Sequence, residues 1–285
     1  MTRPIIPAFR CNGTMADQAR AYAALFPGAT IDGQEPAAWA PDAPGATLAL
    51  DGCPVQLIDG RPMYAPTPAI SLFVQRADEA GVRALWDALA EGGAVLIPLE
   101  AWPWARLYGW VQDRWGVSWQ VNLGPVAEVG QAVLPYLTFV GAAAGNVRAA
   151  LDLYARAFPD LTVDGIHDHD GSGPDPAGTV MHAQIRLRGG TMMLSDSAHA
   201  HAWGFTPGTS LSVLCADQAQ VDRLWDLFLD GGQPSRCGWL TDAFGLSWQI
   251  VPQVLHDIMT TGTRDQKARA VAAFLPMDRL DGPAI

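Results

Sequence analysis

Apolar and polar positions along the chain switch repeatedly between a period of two and a helical period. IIPAFRCN (5–12) reads as a strand. Residues 15–25 then carry apolar side chains at helical spacing, with Thr14 placed as N-cap and Asp17 three residues on. ATLAL (46–50) and PVQLID (54–59) return to the strand period. After the Pro-rich connection GRPMYAPTP (60–68) the scheme restarts. AISLFVQ (69–75) predicts a strand. Residues 79–91 predict a helix capped by Asp78, with Val82, Leu85, Trp86 and Leu89 on one face and Gly92–Gly93 as its stop. LYGWVQD (107–113) and VSWQVN (117–122) predict two more strands. The first 124 residues therefore read as strand, helix and strands, twice over.

The second half of the chain repeats the first. GWVQDRWGVSWQVN (109–122) returns as GWLTDAFGLSWQIV (238–251), sharing Gly, Trp, Asp, Gly, Ser, Trp and Gln in place. TPAISLFVQRADEAGVRALWDALAEGG (67–93) matches TPGTSLSVLCADQAQVDRLWDLFLDGG (206–232), which predicts a helix over 218–230 capped by Asp217. ARAYAALFP (19–27) resembles ALDLYARAFP (150–159), and LALDGCPVQLIDG (48–60) resembles IRLRGGTMMLSDS (185–197). Between two of these blocks the first copy is longer, within AVLIPLEAWPWARLY (94–108). The blocks keep their order, so the reading is two homologous domains, 1–124 and 132–252, joined by a linker at 125–131. A C-terminal helical tail follows over 253–285.

Composition narrows the partners. Nearly half of the 285 residues are apolar, enough for a well-buried core. The net charge of −11, with no basic block, argues against nucleic acid. No apolar run approaches the ~18 residues of a membrane span, and MTRPIIPAF lacks the pattern of a secretion signal. The four cysteines form no CxxC pair and no disulfide framework. A cytoplasmic setting is the expectation.

Alternation assigns faces. In the repeated strand, Val117, Trp119 and Val121 oppose Ser118 and Gln120; Leu246, Trp248 and Ile250 oppose Ser247 and Gln249. The apolar faces should pack on the helices. Five of the six histidines fall between 167 and 201. HDHDGSGPDPAG (167–178) looks like a metal site but sits in a Gly/Pro/Asp-rich loop and reads as a solvated segment without a ligand role. SAHAHAW (197–203) would place two His on one face if extended, as metal ligands can be, but it flanks a Pro-containing loop and reads first as a segment without a ligand role. His182 opens a strand and shares a face with Gln184 and Arg186. It reads as a hydrogen-bonded sheet residue or as a polar pocket wall. Trp86 and Trp225 fall at helical core positions. Trp102, Trp104 and Trp110 surround the first-copy insertion and fit either a packed interface or an aromatic loop that stacks a planar ligand. No GxSxG elbow supports a serine nucleophile. Cys11 and Cys53 have no neighbouring His in sequence. GGTMML (189–194) is not the glycine-rich loop that a methyl-donor cofactor needs.

The segments IIPAFRCNG, LFPGATI, TPAISLFV, RLWDLFLDGG, CGWLTDAFGLSWQIVP and DQKARAVAAFLPMDRLDG together resemble the vicinal oxygen chelate superfamily. Its members include glyoxalase I, extradiol dioxygenases, and fosfomycin- and bleomycin-resistance proteins. The wording resembles most its PhnB-like group, which carries the label 3-demethylubiquinone-9 3-methyltransferase and in which MHA (181–183) recurs. The resemblance implies an α+β fold: four βαβββ modules forming two glyoxalase/bleomycin-resistance-like domains, with curled mixed β-sheets and helices on the convex face. It also implies that the tandem chain is a covalent pseudo-dimer, further self-association remaining open. The concave side of each curled sheet would be the active site, making Ser118, Gln120, Ser247, Gln249, Gln56, His182 and Trp104 candidate ligand-binding residues. The superfamily's metal enzymes use His and Glu at four concave positions. Here those positions hold Ile6, Gln56, Ala69 and Gln120 in the first copy and Leu134, Met193, Gly208 and Gln249 in the second. The expectation is a protein without the usual metal centre and without cofactor, binding a small hydrophobic or aromatic molecule. The alternative is a metal-dependent glyoxalase- or dioxygenase-type enzyme with an atypical Gln-containing shell.

Overall fold

Four strand–helix–strand modules run along the chain and pair into two eight-stranded mixed sheets. The structure is a computed structural model that describes residues 4–11, 14–32, 45–59 and 64–285. Residues 60–63 of the Pro-rich connection and the first three residues lie outside these. The first module comprises β1 (Ile6–Cys11), α1 (Met15–Leu25), β2 (Thr30–Asp32), β3 (Gly45–Leu50) and β4 (Cys53–Asp59). The second comprises β5 (Ile70–Arg76), α2 (Glu79–Ala90), β6 (Ala94–Trp102), β7 (Ala105–Gln112) and β8 (Ser118–Leu123). After the short helix α3 (Val126–Val129), the third module contains β9 (Val133–Phe139), α4 (Val147–Ala157), β10 (Thr162–Asp168), β11 (Val180–Leu187) and β12 (Gly190–Asp196). The fourth contains β13 (Thr209–Cys215), α5 (Gln218–Leu229), β14 (Gln233–Pro234), β15 (Trp239–Thr241) and β16 (Ser247–Pro252). Helices α6 (Gln253–Thr261) and α7 (Arg264–Phe274) form the tail.

The sheets cross the sequence repeat. The first sheet runs β14-β15-β16-β13-β1-β4-β3-β2 and the second β10-β11-β12-β9-β5-β8-β7-β6. Each takes one module from either copy. They join at antiparallel seams, Ala8 opposite Ser210 in one and Phe73 opposite Leu134 in the other. The two copies thus form an intrachain pseudo-dimer.

The hydrophobic cores follow the copies instead. One gathers Phe9, Tyr22, Phe26, Val74, Leu85 and Trp119 beneath α1 and α2. The other gathers Phe139, Tyr154, Phe158, Val213, Phe228 and Trp248 beneath α4 and α5. Each copy is therefore one cored unit whose two modules belong to different sheets. In each, the repeated tryptophan is the aromatic hub. Trp119 stacks on Phe26 at 5.7 Å and meets Tyr22 edge-on at 5.1 Å. Trp248 stacks on Phe228 at 4.6 Å and meets Tyr154 edge-on at 5.4 Å. Such pairs add about 0.5–1.5 kcal/mol each beyond their buried area.

The repeated aspartate closes the same unit. Asp113 Oδ2 accepts from Tyr22 Oη (2.6 Å) and Trp119 Nε1 (2.8 Å), and its Oδ1 accepts from the amides of Trp115 and Val117. Asp242 does the same for Tyr154, Trp248, Phe244 and Leu246. Burial pushes both carboxyls above the usual range, while the four donors on each pull them back.

Local signals in the sequence match the helix ends closely at two of the three predicted caps. Asp78 accepts from the Gly81 amide (2.7 Å) and Asp217 from the Gln220 amide (2.8 Å). Thr14 departs from expectation. Its hydroxyl donates to the Asp17 carboxylate rather than accepting from the helix backbone, so the acid has taken the side chain that would cap. Arg188 and Gly189, both at positive φ, form the two-residue turn between β11 and β12, and Asp51 and Gly52 do so between β3 and β4. GGTMML (189–194) is therefore the second turn residue followed by the start of β12, not a cofactor loop. Among the described residues, no helix is long and apolar enough to cross a membrane.

Candidate functional site

The pleat sorts every strand of the second sheet into two faces. Trp119, Val121, Leu72, Val74, Leu137 and Leu194 enter the cores. Ser71, Phe73, Tyr108, Gln120, Tyr136 and Met193 occupy the opposite, concave face. At its middle, Phe73, Leu134, Tyr136, Tyr108 and Met193 form a separate apolar cluster, with Trp102 and Trp110 packed against it.

A cavity of about 350 Å³ opens on this face. Its apolar walls are Ile97, Trp104, Tyr108, Trp110 and Tyr136. Its polar lining comes from Gln120 and Thr138 and from the segment Ser195, Ser197, His199 and His201. The long β6–β7 hairpin, built from the first-copy insertion, supplies most of the aromatic side. Trp104 at its tip is 66% exposed and meets Tyr108 edge-on at 4.6 Å. Trp102 stacks beside Trp104 at 6.3 Å and ties its ring N–H to the Tyr108 carbonyl. The opposite wall comes from the second copy, so the cavity is shared between copies.

Gln120 sits at the floor, 3% exposed. Its Oε1 accepts from Tyr108 Oη (2.8 Å) and its Nε2 donates to Ser71 Oγ (2.8 Å). Burial drives the Tyr108 and Tyr136 phenols up from the ordinary tyrosine value, so both stay protonated donors. Ser118 is fully buried, and its Oγ accepts from Trp110 Nε1 (2.6 Å), which fixes that indole against the cleft. His182 lies on the same face with its ring 6.1 Å from Tyr136. Burial, then the neighbouring His167, lowers its pKa.

Gln249 repeats the arrangement in the first sheet, its Nε2 donating to Ser210 Oγ at 2.9 Å. Ser247 is buried beside it, and half-buried Gln56 lies on β4 of the same sheet. Arg10 crosses this face, its guanidinium 4.9 Å over the Trp239 ring and its Nε bonded to the Pro207 carbonyl. The seven candidate residues thus divide. Ser118, Gln120, His182 and Trp104 belong to the second sheet, and Gln56, Ser247 and Gln249 to the first.

The sheet topology also regroups the four concave positions of each copy. Ala69 and Gln120 share a sheet with Leu134 and Met193; Ile6 and Gln56 share one with Gly208 and Gln249. Neither set suits a divalent first-row metal. Leu134, Ala69, Ile6 and Gly208 have no side-chain donor atom, and the oxygen of Gln120 is engaged by Tyr108. Among the described residues, no group of three or more His, Cys, Asp or Glu is placed to hold a metal ion.

His199 and His201, which the sequence places beside a loop, both line the cavity, His199 with its side chain 59% exposed. The 197–205 segment folds back over the sheet, with Ser197 Oγ 3.0 Å from His201 Nε2 and the His201 ring against Trp203 at 4.3 Å. Trp203 in turn meets Trp110 edge-on at 5.8 Å. Asp175 holds this segment from behind, accepting from the Ala198 amide and lying 3.7 Å from His199 Nε2. This run of rings, His201 to Trp203 to Trp110, crosses from one copy to the other and leaves no trace in the local pattern. Ile97, Tyr108, Tyr136, Ser195 and Thr138 also line the cavity, and the sequence singles out none of them. For Thr138 the one signal is its place two residues after Tyr136 in an apolar run.

Several solved structures are similar. Glyoxalase I from Zea mays shares 12% identity, with 92% of this chain and 97% of that chain covered and a TM-score of 0.61, which places the whole fold. A PhnB protein from Bacillus cereus, titled a putative 3-demethylubiquinone-9 3-methyltransferase, shares 29% identity over 44% of this chain and 98% of its own, with a TM-score of 0.36. A protein from Pseudomonas aeruginosa shares 30% identity over 41% and 95%, with a TM-score of 0.35. No curated protein matches the chain. The model of the family described as 3-demethylubiquinone-9 3-methyltransferase matches residues 4–122 and again 131–251. With both copies matched on a glyoxalase-like fold, the chain belongs to that PhnB-like family, as a tandem two-domain member.

Proposed function

We propose that this protein binds a small hydrophobic or aromatic molecule in the concave cleft of the second sheet. The observation that carries this reading is the cavity itself: aromatic walls mostly from one copy, a hydroxyl- and imidazole-bearing wall from the other, and a buried amide at the floor. Sites of this kind bury a ligand's apolar body and orient it with few polar contacts. In this reading Trp104 covers the ligand, Gln120 and Ser118 hold Tyr108 and Trp110 in place, and His182 stands beside Tyr136. Ser247, Gln249 and Gln56 form the corresponding wall of the first sheet.

The family description names a methyl transfer. The hairpin corner at Arg188–Gly189 offers no cradle for a methyl donor, so no such step is assigned. Metal analysis of protein purified without added metal, combined with ligand titration followed by Trp fluorescence, tests the proposal. Saturable quenching without stoichiometric metal supports it. Stoichiometric Zn, Ni, Mn or Fe would replace it with the glyoxalase- or dioxygenase-type alternative.

A further inference from the structure

Thr138 carries an unsatisfied hydroxyl into the cleft. The residue is 5% exposed, lines the cavity, and its Oγ1 is buried without a hydrogen-bond partner. Its own amide is engaged, donating to the Ala69 carbonyl at 2.8 Å, so the side chain is what is left over. Buried polar atoms are nearly always paired, and one left alone costs folding free energy that a ligand atom can recover. An apolar residue of the same shape would fill this position on β9 without that cost. Its neighbours on the strand, Leu134 and Tyr136, face the same way, so the Thr138 side chain lies on the cleft face of β9, with its hydroxyl buried at the cavity lining.

Charge narrows the ligand further. Among the described residues, the cavity lining contains no Asp, Glu, Lys or Arg. A cationic ligand would find no carboxylate, and a strongly anionic one no guanidinium or ammonium, so either would lose hydration uncompensated. Burial and the neighbouring His199 lower the His201 pKa, which keeps that imidazole from serving as a fixed positive charge. Ser195, Ser197 and His201 can each donate or accept, as a hydroxyl or carbonyl requires.

Resting on the binding function proposed above, the geometry points to an uncharged planar molecule bearing a hydroxyl or carbonyl as the ligand class, with Thr138 as the residue that reads that group. Equilibrium dialysis of the full chain at about pH 7.5, where His201 is neutral, against 2-naphthol, naphthalene, 2-naphthoate and 2-naphthylmethylammonium tests this. The inference expects 2-naphthol to bind about tenfold more tightly than naphthalene, the scale of one hydrogen bond to a desolvated partner, and more tightly than either charged analogue, which would lose hydration uncompensated. Thr138→Val should bring 2-naphthol to the affinity of naphthalene and leave naphthalene unchanged, and Thr138→Ser should retain 2-naphthol binding. Because Val removes an orphan hydroxyl at constant shape, the urea midpoint of Thr138→Val should match or exceed that of the unsubstituted chain. A charged analogue binding as tightly as 2-naphthol, or Thr138→Val leaving 2-naphthol unaffected, overturns the inference while the binding function stands. Failure of all four probes to bind overturns the binding function as well.

Discussion

Replacing Asp113 by Ala should be among the most damaging single changes in the first copy. The carboxylate satisfies four donors, two of which, Tyr22 Oη and Trp119 Nε1, belong to residues with no exposed surface. The other two are amides in the turn 113–117: that of Trp115 is partly exposed and water can rehydrate it, but that of Val117 belongs to a residue with no exposed surface. The cost is then three orphaned buried donors at ~1–3 kcal/mol each, about 5 kcal/mol in all. Tyr22→Phe leaves the carboxylate three donors but also strips the buried Gln18 Nε2 of its acceptor, Tyr22 Oη, so it should cost about 2 kcal/mol. Urea unfolding followed by Trp fluorescence, with the slope checked for constancy, measures both. Asp242→Ala should behave alike in the second copy, because its four donors are the same in kind. A loss below about 1 kcal/mol for Asp113→Ala would refute the reasoning, since it would mean that the ring donors find other partners.

Other consequences can be checked in the same way. Gly208→Ala should destabilise strongly and lower the urea midpoint, because an added Cβ would lie 1.9 Å from the Ala65 carbonyl oxygen, backbone that no side-chain rotation relieves. Leu280→Ala, which empties a fully buried tail position beside Gly238, should cost ~2–5 kcal/mol in urea unfolding. The pKa values of His182 and His201 are lowered in the folded state, so the unfolded chain takes up protons first on acidification. Their contribution to stability should be fully present above the ordinary histidine value of 6.5 and fall as pH drops from there through the depressed folded values. A titration of the urea midpoint should show that slope, and His182→Gln with His201→Gln should flatten it.

The elements were largely legible because alternation and capping are local. Helices α2 and α5 begin where Asp78 and Asp217 predict, and the strand holding Trp119 turns its serine and glutamine away from the core. What the repeat could not reveal is which module pairs with which. Both sheets join modules from different copies, a choice set by distant seams such as Phe73 with Leu134. The cleft was only partly readable for the same reason. Strand β9 is buried at all seven positions, so burial on both faces erased the pattern that would have marked Thr138. His199 and His201 reach the cavity only because the chain after β12 folds back, held by Asp175, and nothing nearby in sequence records that contact.

Calorimetric titration of the full chain with 2-naphthol tests the central claim most directly. The account predicts saturable binding to one site per chain, weakened by Tyr136→Ala at the second-sheet cleft and unchanged by Gln249→Ala in the first sheet. Absence of binding, or binding lost with Gln249→Ala and kept with Tyr136→Ala, would contradict it.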